Sequence, residues 1–212
     1  EKHMAYGFMD IALTPSVRDA QAEMKADHLW SDFKGSRQFD RFTDQEAAFI
    51  AERDSFYIAS VSETGWPYVQ HRGGPPGFLK MLDDTTLAFA DYRGNRQYIS
   101  TGNLQANDRA CLFLMDYPRR ARLKIYAHAE KLSVDADASV TKRVLDPDYK
   151  ANLERIFVLR LAAFDWNCPQ HITPRFTERE VARGVQPLRD RIEQLERENA
   201  MLRDQLASGG GA

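Results

Sequence analysis

The 212-residue sequence predicts a mainly β member of the α+β class, an antiparallel barrel with short peripheral helices and a separate C-terminal coiled-coil helix. Three observations predict it. Short apolar runs of period two follow one another between Phe56 and Phe164, with turn residues between them. Only brief helical patterns interrupt these runs, which disfavours alternating β-α units. From Val185 onward, apolar residues recur with heptad spacing.

In chain order, residues 1–40 mix Gly, Pro, charge and scattered aromatics around one helical stretch near Ser16 to Ala26, and read as an N-terminal arm that packs on something else. Thr43 followed by Glu46 is a capping box that opens a short helix through Ala47, Phe49 and Ile50. Phe56, Ile58 and Ser60 alternate with Tyr57, Ala59 and Val61, and Glu63-Thr64-Gly65 turns the chain into Pro67 to Gln70, a β-hairpin pattern. Phe78–Leu82 and Thr85–Ala90 flank Asp83-Asp84 as a second hairpin. A helix is expected over Asn95–Ala106, strands over Ala110–Met115 and Leu123–Leu132, and a last strand over Ile156–Phe164 that is apolar on both faces. The barrel domain is expected to span residues 41–182.

Residues 183–206 form the expected coiled-coil helix, and 207–212 a flexible tail. Val185, Ile192, Asn199 and Leu206 occupy a positions, and Leu188, Leu195 and Leu202 occupy d positions. In a parallel, in-register pair, Arg191 at g faces Glu196 at e of the other chain, and Glu198 faces Arg203, so both pairs attract. Asn199 at an a position specifies register and two strands. About three heptads are marginal alone, so the barrel is expected to dimerise as well.

Composition limits the function. Lys and Arg number 29 against 31 Asp and Glu, which argues against nucleic acid or a membrane surface as partner; any anion site must be local. No apolar run approaches the ~20 residues that span a bilayer. Two cysteines, Cys111 and Cys168, are too few for a disulfide framework or a four-ligand zinc site, so no metal is expected and a reducing, cytoplasmic compartment is.

Three segments carry chemistry. In Gln70-His71-Arg72-Gly73-Gly74-Pro75-Pro76-Gly77-Phe78, a cation ends a strand and a glycine loop follows, which can bring backbone N–H groups to an anion or can simply be a turn. In Phe89-Ala90-Asp91-Tyr92-Arg93-Gly94-Asn95-Arg96-Gln97, a strand turns at Gly94 and a helix is expected to start at Asn95, with Arg96 in its first turn able to fork onto phosphate oxygens. The third is Arg119-Arg120-Ala121-Arg122 before the Leu123 strand. Cations at three strand boundaries of a neutral chain suggest one anionic ligand. Cys168 and His171 could imitate a nucleophile and base, but that spacing is nonspecific.

The order of these pieces, with Asn103 inside the expected helix and Arg122-Leu123-Lys124-Ile125-Tyr126-Ala127-His128-Ala129 after it, resembles the FMN-binding split β-barrels related to pyridoxamine 5'-phosphate oxidase, over about Phe42 to Leu132 and again at Trp166 to Phe176. The resemblance implies FMN bound at a homodimer interface. Arg72 and Arg96 would hold the phosphate beside the His71–Gly73 loop, with Asn95 adding a hydrogen bond. Asp91 and Tyr92 would flank the ribityl chain or ring edge, and backbone around Phe78 and Leu79 would lie along the isoalloxazine. Arg122 would point at the ring and stabilise charge growing there on reduction. Gln170 and His171 would reach the ring edge, from the partner subunit in one arrangement. An FMN-dependent oxidoreductase acting on a small molecule follows, with no side chain assigned as catalytic. A flavin- or haem-binding module without turnover and a deazaflavin-dependent reductase are the alternatives. The parent enzyme's C-terminal substrate-phosphate signature is not recognisable, so pyridoxal phosphate synthesis is not expected.

Overall fold

The computed structural model describes residues 7–29, 40–166 and 169–209. Parts of the expected arm and tail, together with Asn167 and Cys168, lie outside the described residues. The chain divides into two units, one of Glu1–Asp116 and Arg120–His171, the other of Tyr117–Arg119 and Ile172–Ala212.

The first unit is built on one antiparallel sheet of seven strands: β1 Ser55–Val61, β2 Pro67–Gly73, β3 Lys80–Asp83, β4 Thr86–Tyr92, β5 Arg109–Asp116, β6 Ala121–Leu132 and β7 Leu153–Trp166, in the spatial order β2-β1-β5-β6-β7-β4-β3. Its helices are α1 Phe8–Ala12, α2 Pro15–Glu23, α3 Asp44–Ala51, α4 Ile99–Ala106 and α5 Ala138–Val144, with a turn of 3-10 helix at Asp27–Leu29. This is the antiparallel split β-barrel that the sequence predicts, and every expected strand is present. Phe56, Ile58, Phe89, Leu112, Leu123, Ile125, Phe157 and Leu159 alternate along their strands into one buried core.

The Thr43 capping box forms: Glu46 Oε2 accepts from the Thr43 backbone N–H at 2.8 Å, and Thr43 Oγ1 accepts from Gln45 N–H at 3.3 Å. The other oxygen of Glu46, buried beside the core, accepts from Trp166 Nε1 at 2.6 Å and so ties α3 to the end of β7. The arm also finds its support on the sheet. Phe8 of α1 is buried, its ring stacked on Tyr126 at 4.5 Å and carrying the Lys124 ammonium at 4.4 Å.

The two apolar faces of β7 have a cause that the sequence reading missed. Ile156 and Val158 join Ala88, Ala90 and Val144 in a second cluster on the far side of β4 and β7, and α5 covers it. Asp137 caps that helix by accepting from Ser139 and Val140 N–H groups at 2.9 and 3.1 Å, a start signal legible in the sequence.

The second unit holds α6, Glu178–Gly209. It begins seven residues before the first heptad position, because Thr177 and Glu180 make a second capping box: Glu180 Oε2 accepts from Thr177 N–H at 2.8 Å and Thr177 Oγ1 from Glu180 N–H at 3.2 Å. Pro187 lies within the helix. Leu188, Ile192, Leu195, Leu202 and Leu206 form an exposed stripe.

Candidate functional site

The site is assembled at one mouth of the barrel, where β2 and β4 approach each other. On β2 the side chains of Tyr68, Gln70 and Arg72 share the face of Ser60, Ile58 and Phe56, their antiparallel partners on β1, and so point inward. On β4, Asp91 shares the face of Leu87 and Phe89 and also points inward. The two meet: Arg72 Nη1 donates to Asp91 Oδ1 at 2.6 Å. Arg155 of β7 brings its Nη1 to 3.7 Å from Asp91 Oδ2, donates to Thr101 Oγ1 at 2.8 Å and to Glu154 Oε2 at 2.6 Å, and stacks its guanidinium 4.6 Å over the Tyr98 ring. Glu154 also accepts from Arg93 Nε at 3.0 Å and from the Tyr98 hydroxyl at 3.1 Å. One charged network therefore links β2, β4, β7 and the first turn of α4.

Next to this network is a cleft of about 180 Å³. Tyr68, Gln70 and Arg72 line one side, Asp91, Tyr92 and Glu154 another, and the segment from Gly94 to Thr101 closes it. That segment corrects the expected helix start. Asn95 Oδ1 accepts from Gln97 N–H at 3.1 Å, and Arg96 and Tyr98 have left-handed φ values of 63° and 54°, so the helix begins at Ile99 and not at Asn95. A local side-chain-to-backbone bond has taken the place of the first helical turn. Arg96 is thus an exposed loop residue ahead of α4, whose N-cap Tyr98 makes no side-chain capping bond to the helix. Ile99, Ser100 and Thr101, the residues that open α4, still line the cleft, and a helix N-terminus favours an anion.

Charge and burial set the titration of the site. Burial pushes the Asp91 carboxyl above its ordinary value, outweighing the Arg72 and Arg155 charges that pull it down. Partial burial acts the same way on Glu154, but hydrogen bonds from Arg93 and Tyr98 hold that carboxyl below its usual range. Burial raises the Tyr92 hydroxyl, with Asp146 adding to the effect. Burial likewise raises the Cys111 thiol, which lies on β5 away from the cleft and is a poor nucleophile there.

Arg72, Asp91, Tyr92, Asn95 and Arg96 therefore meet at one cleft. The other expected site residues do not. His71 and Gly73 alternate with Arg72 and face the outside of the sheet, where His71 lies edge-on to Tyr57 at 5.6 Å. The glycine loop holds no free anion nest at its Gly74 and Gly77 N–H groups, because these donate to Asp54 and Arg53 carbonyls at 2.9 and 2.8 Å. Its glycines are required by packing: a Cβ on Gly77, which has φ of 75°, would stand 2.9 Å from the Ala51 carbonyl oxygen. Phe78 and Leu79 are core residues, the former stacked on Phe56 at 5.4 Å. Arg122 alternates with the buried Leu123 and Ile125, so it lies on the outer face of β6 beside Met115 of β5, and its buried Nε has no hydrogen-bond partner. Gln170 and His171 are exposed at the end of the first unit.

Tyr68, Gln70, Tyr98, Thr101, Glu154 and Arg155 are site residues that sequence reading missed. The alternation of Tyr68, Gln70 and Arg72 was a usable signal, three polar residues two apart on a strand whose partner turns its core face to them. Arg155 had no local signal.

These elements define an antiparallel split barrel with an arginine-lined cleft at its mouth. The pyridoxamine 5'-phosphate oxidase family model matches residues 42–165, more than half of the sequence, and the chain belongs to that family. Among solved structures, it is similar to HupZ of Group A Streptococcus (14% identity over 64% of this chain and 100% of that one, TM-score 0.48). It is also similar to an FMN-binding protein from Syntrophomonas wolfei subsp. wolfei (15%, 72% and 95%, TM-score 0.46) and to an F420 reductase (23%, 55% and 93%, TM-score 0.38). No curated protein matches the sequence. No helix among the described residues is long and apolar enough to cross a membrane.

Proposed function

We propose that the protein is a cytoplasmic, homodimeric FMN-dependent oxidoreductase that binds the phosphate of FMN in the Arg72–Arg96 cleft. The observation that supports this is the pair of arginines, Arg72 and Arg96, lining one cleft together with the first residues of α4, in a chain of near-zero net charge. The fit is specific to the phosphate end. Pockets that enclose whole small molecules run to roughly 300–1,000 Å³, and this cleft has about 180 Å³, so the ring must lie outside it.

Arg72 and Arg122 are on opposite faces of the sheet, so in one copy they do not serve the same cofactor. The outer face of β1, β2, β5 and β6 presents Tyr57, Val69 and Phe113 beside Arg122, whose buried Nε has no partner, a mainly apolar surface that suits a dimer contact. Arg122 would then stabilise negative charge on a ring whose phosphate the partner subunit holds, with Gln170 and His171 as further ring contacts. The exposed stripe of α6 would pair in parallel with its copy, as the Arg191–Glu196 and Glu198–Arg203 complementarity favours.

Bound FMN supplies hydride transfer at flavin N5 to or from a small molecule stacked on the ring. The side chains orient the phosphate and exclude water. Asp91 and Glu154, the carboxylates lining the cleft, are both engaged in ion pairs, so neither is presented as a ready acid or base. That commitment favours a second reading, a flavin-binding module without turnover. Titration of the purified protein with FMN, followed by flavin fluorescence, tests the main proposal: binding should be saturable and 1:1 per chain, and absence of uptake overturns it. Reduction of the bound flavin by NAD(P)H separates the enzyme from the carrier.

A further inference from the structure

We propose that Asp91 is an internal anion that competes with the ligand's phosphate for Arg72, so that it weakens anion binding at this cleft and makes that binding depend on pH. The inference rests on the phosphate reading above and reverses the expected contribution of Asp91, from a cofactor contact to a rival of the cofactor.

The geometry of Arg72 carries the argument. A guanidinium binds phosphate best as a fork, with two N–H groups side by side on two oxygens. In Arg72, Nη1 is taken by Asp91 at 2.6 Å, and Nε is shut off from solvent with no hydrogen-bond partner. Neither two-point edge is therefore open to a ligand: Asp91 occupies Nη1 of the Nη1–Nη2 edge, and Nε of the Nε–Nη2 edge is buried. A buried donor without a partner is costly, and a phosphate that drew the fork toward the cleft would satisfy it. The movement requires Asp91 to release Nη1.

Asp91 can release it because the carboxylate has an alternative. Arg155 of β7 stands 3.7 Å from its other oxygen, close enough to close to contact when Arg72 leaves. The groups facing Asp91 are Arg72 from β2, and Arg155 and Glu154 from β7, with Arg93 and Tyr98 held to Glu154. Cations outnumber carboxylates in that set, yet burial still raises the Asp91 carboxyl above its ordinary value. A proton on Asp91 removes its hold on Arg72, so the cleft takes an anion more readily as pH falls.

The test compares wild type with Asp91→Asn, which keeps the shape of the side chain and removes its charge. FMN and riboflavin, which lacks the phosphate, are titrated against both proteins at pH 8. The expected result is FMN binding about tenfold tighter in the variant, the scale of one charge-assisted contact, with riboflavin binding unchanged. Equal or weaker FMN binding by a folded variant overturns the proposal and makes Asp91 a positioning residue for Arg72. A second measurement needs no variant: the inhibition constant of sulfate, a dianion throughout the range, extracted from wild-type FMN titrations at several sulfate concentrations at each pH from 5 to 8. That constant should fall at lower pH, and a flat or opposite profile overturns the proposal. Wild type that binds riboflavin as tightly as FMN would instead refute the phosphate site itself, leaving the two failures distinguishable.

Discussion

Arg72 Nη1 sits 2.6 Å from Asp91 Oδ1 although β2 and β4 are separated in the sheet by four strands. Side chains at such remote positions touch because the sheet curls on itself until its ends meet. The ion pair thus closes the barrel and furnishes the wall of the cleft, so its two halves should respond differently to mutation.

Arg96→Ala is expected to leave the melting temperature unchanged, since the side chain is exposed in a loop, while weakening FMN binding by about 1.5–3 kcal/mol. Arg72→Ala should weaken binding to a similar extent and also destabilise the fold by about 3 kcal/mol, because it strips a buried carboxylate of its nearest cation. Thermal melts paired with FMN titrations check both. Intact affinity in the double variant would refute the phosphate site.

The native pKa of Asp91 is raised, so the folded protein holds that proton more tightly than the unfolded chain. Its contribution to stability is therefore full below the ordinary carboxylate range, about pH 4, and is lost as pH climbs from there to the raised native value. Urea midpoints of wild type, minus those of Asp91→Asn, should fall as pH increases across that window. A difference that stays constant or grows would contradict the sign.

Glu46 accepts three hydrogen bonds while buried, from Trp166 Nε1 at 2.6 Å and from the Thr43 backbone and hydroxyl at 2.8 and 2.6 Å. Glu46→Ala removes a helix cap and leaves the indole N–H without its carboxylate. We expect a loss of about 2–4 kcal/mol in chemical denaturation and a shift in Trp166 emission. Glu46→Gln should recover much of the loss.

In α6, Asn199 Nδ2 bonds back to the Leu195 carbonyl at 2.9 Å within its own helix. Asn199→Ile should therefore cost the helix little and, in the proposed parallel pair of α6 helices, remove the polar position that favours two strands. Light scattering is expected to find a more heat-stable protein with a higher-order fraction. A strictly dimeric variant with unchanged stability would separate α6 from assembly.

The features readable in the sequence were those that depend on near neighbours. The alternation of Phe56, Ile58 and Ser60 against Tyr57 and Ala59 predicts a strand with one buried face, and that strand is β1. The Thr43–Glu46 spacing predicts a cap that forms, and the heptads from Val185 lie on one continuous helix. Where near neighbours offered two outcomes, the reading erred. Gly94-Asn95-Arg96 is compatible with a helix start or with an Asn turn, and the turn prevailed through the bond to Gln97.

Composition, strand period and heptad register, all set within a few residues, were determined by the sequence alone, along with the family that their order resembles. Which arginines share a cleft was decided only by the tertiary structure. Successive side chains on a strand point to opposite faces, so a step of one residue separates His71 from Arg72, and parity on β6 sends Arg122 outward with Lys124. The curl of the sheet then brings Arg72 to Asp91 and Arg155 across strands far apart in the chain, a meeting fixed by strand pairing and closure and carried by no local pattern.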